Sequence, residues 1–339
     1  EMVRARAANA VLTNGARLYV DHAHPEYSSP ETANPREAVL WDRAGEHIMV
    51  EAMDLLRGQG REVVVYKNNV DGKGASYGSH ENYLMRREVE FIDIIRYLTP
   101  FCVTRPVICG AGRVGLGQRS EVAGFQISQR ADYVENDVGL ETTFNRPIIN
   151  TRDEPHADPD QFRRLHVIIG DSNRSQFVTF MKLATKHLVL GVIESSVRAG
   201  RASGFQACTL ADPNLANRAI SRDITGRTAV RLASDRGDGN AAWHPEGSAS
   251  ALDIQQHYLD IVRKAVTADP DSVSGTLPRT DVSRVLDDWQ GLLDLIAAND
   301  VAALADRLDW AAKYRLLSAL GGHGRRIDSW RAQQLGMDY

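Results

Sequence analysis

From Leu18 to Glu31 the chain reads Leu-Tyr-Val-Asp-His-Ala-His-Pro-Glu-Tyr-Ser-Ser-Pro-Glu, its densest run of side chains able to do chemistry. Leu18, Tyr19 and Val20 favour a strand, and the prolines at 25 and 30 end a regular ladder soon afterwards. Side chains alternate along a strand, so Tyr19 and Asp21 share one face while His22 and His24 point elsewhere. Glu26 comes just past Pro25, where a loop can fold its carboxylate back toward Asp21. Two carboxylates and a phenol are hard oxygen donors, which suit Mg²⁺ better than zinc. The same residues also fit a solvated strand end, since polar clusters are common there. A zinc hydrolase that uses His22 and His24 is a third reading, but no downstream Cys or Glu-x-x-His group offers the remaining ligands.

Two further strands repeat the design of polar residues at i and i+2. His80 and Asn82 share a face in the stretch 79–85, and Arg164 and His166 do so in 163–170. Any one such pair is explained by solvation. If the three strands adjoin in one sheet, their polar faces make a floor with oxygen and imidazole metal ligands, an arginine for phosphate and an amide. That is a nucleotide-metal site without a P-loop.

The remaining elements frame these strands. Asn34-Pro35 supplies a cap and a first-turn proline for a helix that Gly58 and Gly60 stop. Val63-Val64-Val65-Tyr66 reads as a short buried strand, leading into a polar glycine-bearing loop over 67–78. A helix is expected over 87–98 and a strand over 101–108. Gly110-Ala-Gly-Arg-Val-Gly115 is a literal G-x-G-x-x-G, yet the stretch 113–124 has too many glycines and too little apolar periodicity to open a helix; a hairpin between strands fits better than a dinucleotide site. Alternation predicts strands over 125–133 and 146–152, and helical spacing predicts helices over 175–197 and 251–266. Asp281 is expected to cap a helix carrying Val285, Trp289, Leu292 and Ile296, and 301–317 carries another. These last helices read as a small C-terminal helical domain, so the expected division is 1–270 and 271–339.

With 339 residues, the chain is long enough for two domains. Lys and Arg number 40 against 44 Asp and Glu, a net charge of -4, which gives no reason to expect nucleic acid or an anionic membrane as a partner. Three scattered cysteines and no signal peptide or long apolar span lead to the expectation of a cytoplasmic protein.

The segments Asn14 to Ser28, Tyr66-Lys-Asn-Asn69, Tyr77-Gly-Ser-His-Glu-Asn-Tyr83, Gly110 to Gly115 and Ile149-Asn-Thr-Arg-Asp-Glu-Pro-His-Ala-Asp158 closely resemble the Pup ligase and depupylase family, which belongs with the glutamine synthetase-like carboxylate-amine ligases. The resemblance runs from about residue 11 to 320. The Asp-His-Ala-His-Pro-Glu form of the first motif looks like the depupylase branch, also the Pup deamidase, and not the ligase branch. It implies an α+β fold: a curved antiparallel β-sheet cradle backed by helices, with a small helical C-terminal domain. By the same analogy Tyr19, Glu26, His80 and His166 would bind Mg²⁺, Ser28, Ser29, Asn82 and Arg164 would contact ATP or ADP, and Asp21 would be the catalytic carboxylate. Alternation by itself groups six of these nine. The family also carries an acidic Glu-x-Glu strand that nothing before Tyr19 matches, and the parent protein is expected to have it.

The implied activity is hydrolysis of the isopeptide bond between Pup and a substrate lysine, and deamidation of a C-terminal Gln of Pup, with Mg-ATP bound in the site. Pup, pupylated proteins and the proteasome system are the implied partners. The ligase of the same family is the alternative, and a catalytically impaired Pup-binding module is the rival of a different class.

Overall fold

The computed structural model describes residues 9–21, 24–70, 75–115, 124–233, 244 and 246–321. The chain divides into two compact units, 1–66 and 67–339. The expected boundary at 270 is not where this division falls.

In the first unit, β1 (Asn9–Val11), β2 (Arg17–Asp21) and β3 (His24–Ser28) form an antiparallel sheet in that order. The β1–β2 turn is closed by Leu12 N–H donating to the Ala16 carbonyl at 2.8 Å. The helix α1 (Pro35–Gly58) begins as the sequence predicts, with the Asn34 side chain accepting from the backbone N–H groups of Arg36 and Glu37. Gly45 lets α1 approach the hairpin, because a Cβ there would lie 2.5 Å from Cδ1 of the Tyr27 ring. The strand expected at 63–66 is absent. Val64 and Tyr66 are 65% and 62% exposed, and no described strand pairs with the segment, so its β-favouring side chains have no ladder to join.

In the second unit, β4 (Glu81–Arg86) pairs antiparallel with β9 (Phe162–Val167), and β5 (Arg113–Gly115) with β6 (Gly124–Gln126). Between these come β7 (Val134–Gly139) and β8 (Arg146–Asn150), which run parallel, a departure from the expected all-antiparallel arrangement. Extended backbone covers up to about 3.5 Å per residue, so the six residues 140–145 suffice to return along a short strand. The short pair β10 (Val230–Arg231) and β11 (Ser248–Ala249) is antiparallel.

The helices α2 (Phe91–Thr104) and α3 (Pro106–Cys109) occupy the expected strand at 101–108. Phe101, Cys102, Val103, Val107 and Ile108 are all buried, and an apolar run buried on every side shows no period from which to tell helix from strand. The helices α4 (Gln176–Arg198), α5 (Pro213–Ser221), α6 (Ala251–Ala268) and α7 (Pro270–Ser274) come next. After them, α8 (Arg279–Ala297) has Pro278 as its cap position and Asp281 buried inside the helix, not capping it. The expected helix at 301–317 is two, α9 (Val301–Ala305) and α10 (Asp309–Gly321).

These last helices share one core with the rest of the unit. Trp289 Nε1 of α8 donates to Gln255 Oε1 of α6 at 3.1 Å, and Gln255 Nε2 donates to Thr104 Oγ1 of α2 at 2.8 Å. The apolar stripe of α8 packs into that core, together with residues of α2, α4 and α6. No described helix is long and apolar enough to cross a membrane.

Candidate functional site

The residues named from the sequence fall in two sets: Tyr19, Asp21, Glu26, Ser28 and Ser29 in the first unit, and His80, Asn82, Arg164 and His166 in the second.

In the first unit the β2–β3 register sets Tyr19 opposite Glu26, Asp21 opposite His24 and Arg17 opposite Ser28. Opposed residues of an antiparallel pair lie on one face. Glu26 therefore reaches Tyr19 from a neighbouring strand and not from a loop, and His24 shares the face of Asp21. Pro25 is tolerated because β3 is an edge strand. The Tyr19 hydroxyl donates to Glu26 Oε1 and lies 3.4 Å from Ser28 Oγ. Burial, then the Glu26 bond, push the Tyr19 pKa up to about 12, so the phenol keeps its proton. Asp21 and Ser29 are exposed, and His22 lies outside the described residues.

In the second unit Asn82 pairs with His166 and Leu84 with Arg164, which places the polar residues of both strands on one face as the alternation predicts. His166 Nδ1 lies 2.8 Å from Asn82 Oδ1, and Arg164 Nη1 donates to the same oxygen at 3.3 Å. A guanidinium only donates, so that atom is the carbonyl oxygen, and His166 Nδ1 must carry the hydrogen it shares. The lone pair is thereby on Nε2, which is buried without a partner. Desolvation, then Arg164 and Arg152, lower the His166 pKa to about 4. His80 stands edge-on to His166, with ring centroids 4.9 Å apart. Although part of His80 reaches the surface, desolvation of its ring, then His166, Arg130, Arg152 and Arg146, lower its pKa to about 3. Both imidazoles are neutral at pH 7.

The arginines around them carry no sequence signal. Arg130 is 1% exposed, and its Nε and Nη1 have no partner. Arg146 donates from Nε to the Thr142 carbonyl and from Nη2 to the Ser76 carbonyl, each at 2.9 Å. Desolvation, then the charge of Arg146, lower the Arg130 pKa to about 10, and the nearby Asp171 offsets only part of that. Burial likewise lowers the Arg146 pKa against the pull of Glu135. Arg164 is held by Glu154 at 2.5 Å. Buried cations whose charge is only partly balanced are costly, and an anion would offset that cost.

No three His, Cys, Asp or Glu side chains gather closely enough to hold a metal among the described residues. In the second unit the unpartnered Nε2 lone pair of His166 fits a donor to a cation, and in the first unit the Glu26 carboxylate is itself a hard oxygen donor. The glycine motif at 110–115 leaves α3 and enters β5, so it opens no helix and the dinucleotide reading fails. Gly112 has φ +70°, and a Cβ there would lie 2.9 Å from Cα of Trp310, so this glycine serves close packing. Around it Trp310 Nε1 donates to the Val107 carbonyl at 2.9 Å and Lys313 Nζ to the Gly112 carbonyl at 3.1 Å.

The family model described as Pup-ligase protein matches residues 1–339. The chain belongs to the Pup ligase family. It is 49% identical, over its whole length, to a Pup–protein ligase of Bifidobacterium dentium, covering 68% of that protein. It is 50% identical to a depupylase of Acidothermus cellulolyticus and to a Pup deamidase/depupylase of Mycolicibacterium smegmatis, covering 97% of this chain and 61% of each of those. The chain thus spans 61% to 68% of the length of these relatives. A solved Pup ligase PafA in complex with ADP matches with TM-score 0.81 and 35% identity over 98% of this chain and 69% of that one. A PafA in complex with Pup matches with the same TM-score at 34% identity, over 99% of this chain and 65% of that one. The fold of this Pup ligase family member is the α+β, glutamine synthetase-like one that the resemblance implied.

Proposed function

We propose that this chain is the catalytic part of a cytoplasmic depupylase: it hydrolyses the isopeptide bond between the C-terminal residue of Pup and a substrate lysine, and deamidates a C-terminal Gln of Pup to Glu, with Mg-ATP or Mg-ADP bound. The observation that carries the reading is the β2–β3 hairpin of the Asp-His-Ala-His-Pro-Glu motif, which exposes Asp21 two residues beyond the Tyr19–Glu26 pair. Depupylase relatives at 50% identity and a PafA neighbour solved with ADP support it.

Asp21 takes the proton of a water that attacks the amide carbonyl and passes it to the lysine amine or ammonia as the C–N bond breaks. Alternatively it attacks the carbonyl itself: the amine leaves with a proton from solvent, and water then hydrolyses the acyl-aspartyl anhydride to free the Pup carboxylate and regenerate Asp21. Asn82 and Arg164 bind nucleotide phosphate, helped by the excess positive charge of Arg130 and Arg146, and Ser28 and Ser29 contact the nucleotide as well. Tyr19 and Glu26 in the first unit, and His80 and His166 in the second, are each assigned to Mg²⁺ on the family resemblance; Mg²⁺, when bound, would neutralise phosphate charge. Glu26 accepts the Tyr19 proton bond and so keeps its oxygens oriented. Pup, pupylated proteins and the proteasome system are the partners of this reading.

The Pup ligase reading has its own support, the full-length match to the Bifidobacterium dentium ligase. Counting ADP formed per bond changed separates the two, with a ligase forming one and a depupylase none in each turnover. Asp21→Asn should lose cleavage of a Pup conjugate and deamidation by several orders of magnitude while melting and binding ADP as the parent does. Cleavage near the parent rate would remove Asp21 from the mechanism.

A further inference from the structure

Behind the polar face of β4 lies a buried ionic cluster that the proposed chemistry does not use. Glu81 sits in the chain between His80 and Asn82, with its side chain directed to the opposite, buried side. Arg105, at the junction of α2 and α3, grips it with two bonds, Nη2 to Oε1 at 2.8 Å and Nη1 to Oε2 at 2.9 Å. The Tyr83 hydroxyl donates to Oε2 at 2.7 Å, and Lys186 Nζ of α4 lies 3.3 Å from that oxygen. Glu81, Arg105 and Lys186 are buried and Tyr83 is half-buried, and the two cations hold the Glu81 carboxyl well below the usual carboxylate range against the cost of its burial.

The β9 ladder sets the register of β4 along one edge, and the Arg105 clamp adds a second hold from its buried face. Among the described residues β4 is bonded to a strand on one side only, and His80 stands just outside the ladder. Packing of apolar side chains fixes which face is buried, but it tolerates small slides along the strand axis. A planar fork on a carboxylate does not, because two parallel bonds must be kept at once.

We propose that Glu81 and Arg105 are positioning residues: their bidentate clamp locks β4 from behind, and so holds Asn82 and His80 in place on the face that meets the nucleotide. The inference rests on the assignment of Asn82 to nucleotide. Groups that orient a ligand-binding side chain in this way typically carry about tenfold to a hundredfold in affinity.

The test is a double-mutant cycle of Arg105→Lys, which keeps the charge and loses the fork, with Asn82→Ala, read as the ADP dissociation constant well below the melting temperature of every variant. Each single variant should weaken ADP at least about tenfold, and the double variant should be little weaker than the worse single one, because Arg105 acts through Asn82. Should Arg105→Lys not fold, Tyr83→Phe takes its place; it removes one hydrogen bond to Glu81 and no charge, and should weaken ADP about twofold to tenfold, again only when Asn82 is present. Two results overturn the inference while leaving the nucleotide reading intact: a clamp variant that melts lower but binds ADP like the parent while Asn82→Ala does not, and effects that multiply. If Asn82→Ala itself binds ADP like the parent, the nucleotide reading falls and the clamp's role with it.

Discussion

Glu154 Oε2 meets Arg164 Nη2 at 2.5 Å, with the Glu154 side chain 75% exposed and that of Arg164 a quarter exposed. A carboxylate on a guanidinium fork occupies the geometry a phosphate would take. The pair is open to water, so little energy opposes exchanging one anion for the other.

Arg164→Ala should therefore weaken ADP at least about tenfold, the discrimination expected of a lost charge-assisted pair, whereas Arg284→Ala on the solvent side of α8 should leave it unchanged. Calorimetric titration of both variants checks this, and equal affinities would refute the phosphate assignment.

The low His166 pKa makes stability depend on pH in a defined direction. Between about 4, its folded value, and 6.5, its ordinary value, the unfolded chain binds the proton and the folded chain does not. Stability should thus be highest above 6.5 and fall as pH drops toward 4. His166→Gln should flatten that slope in melting curves recorded from about pH 7 to about pH 4.5. Parent and variant curves of the same slope would show that His166 is not held neutral.

Gly112→Ala should destabilise the second unit by on the order of 1–3 kcal/mol, since alanine is disfavoured at positive φ and its Cβ meets the Trp310 backbone. Urea unfolding measures it. A change within about 0.5 kcal/mol, the usual range for a surface site, would show that the backbone there relaxes freely.

Local patterns in the sequence carry as far as local physics does. Asn34-Pro35 announces α1 and the period of 175–197 announces α4, because caps and helical faces are properties of neighbouring residues. Alternation places Arg164 and His166 on one face of β9 before any strand is paired, and the β4–β9 register then brings Asn82 to the same face. It cannot bring Arg130 and Arg146 beside them, nor join Glu81 to Arg105, because those meetings are tertiary and no spacing encodes them. The helix at 101–104 escapes the pattern for a related reason: burial on all sides erases the period that a half-buried element displays.

The bonds of Trp310 to Val107 and of Lys313 to Gly112 join residues more than 200 positions apart. At synthesis rates of about 5–20 residues per second, roughly 10–40 seconds pass on the ribosome before the glycine turn meets its partners. During that interval the apolar run before the turn has emerged without the tryptophan that covers it. Faster passage through the middle of the message would shorten that exposure, whereas a pause before residue 310 would lengthen it.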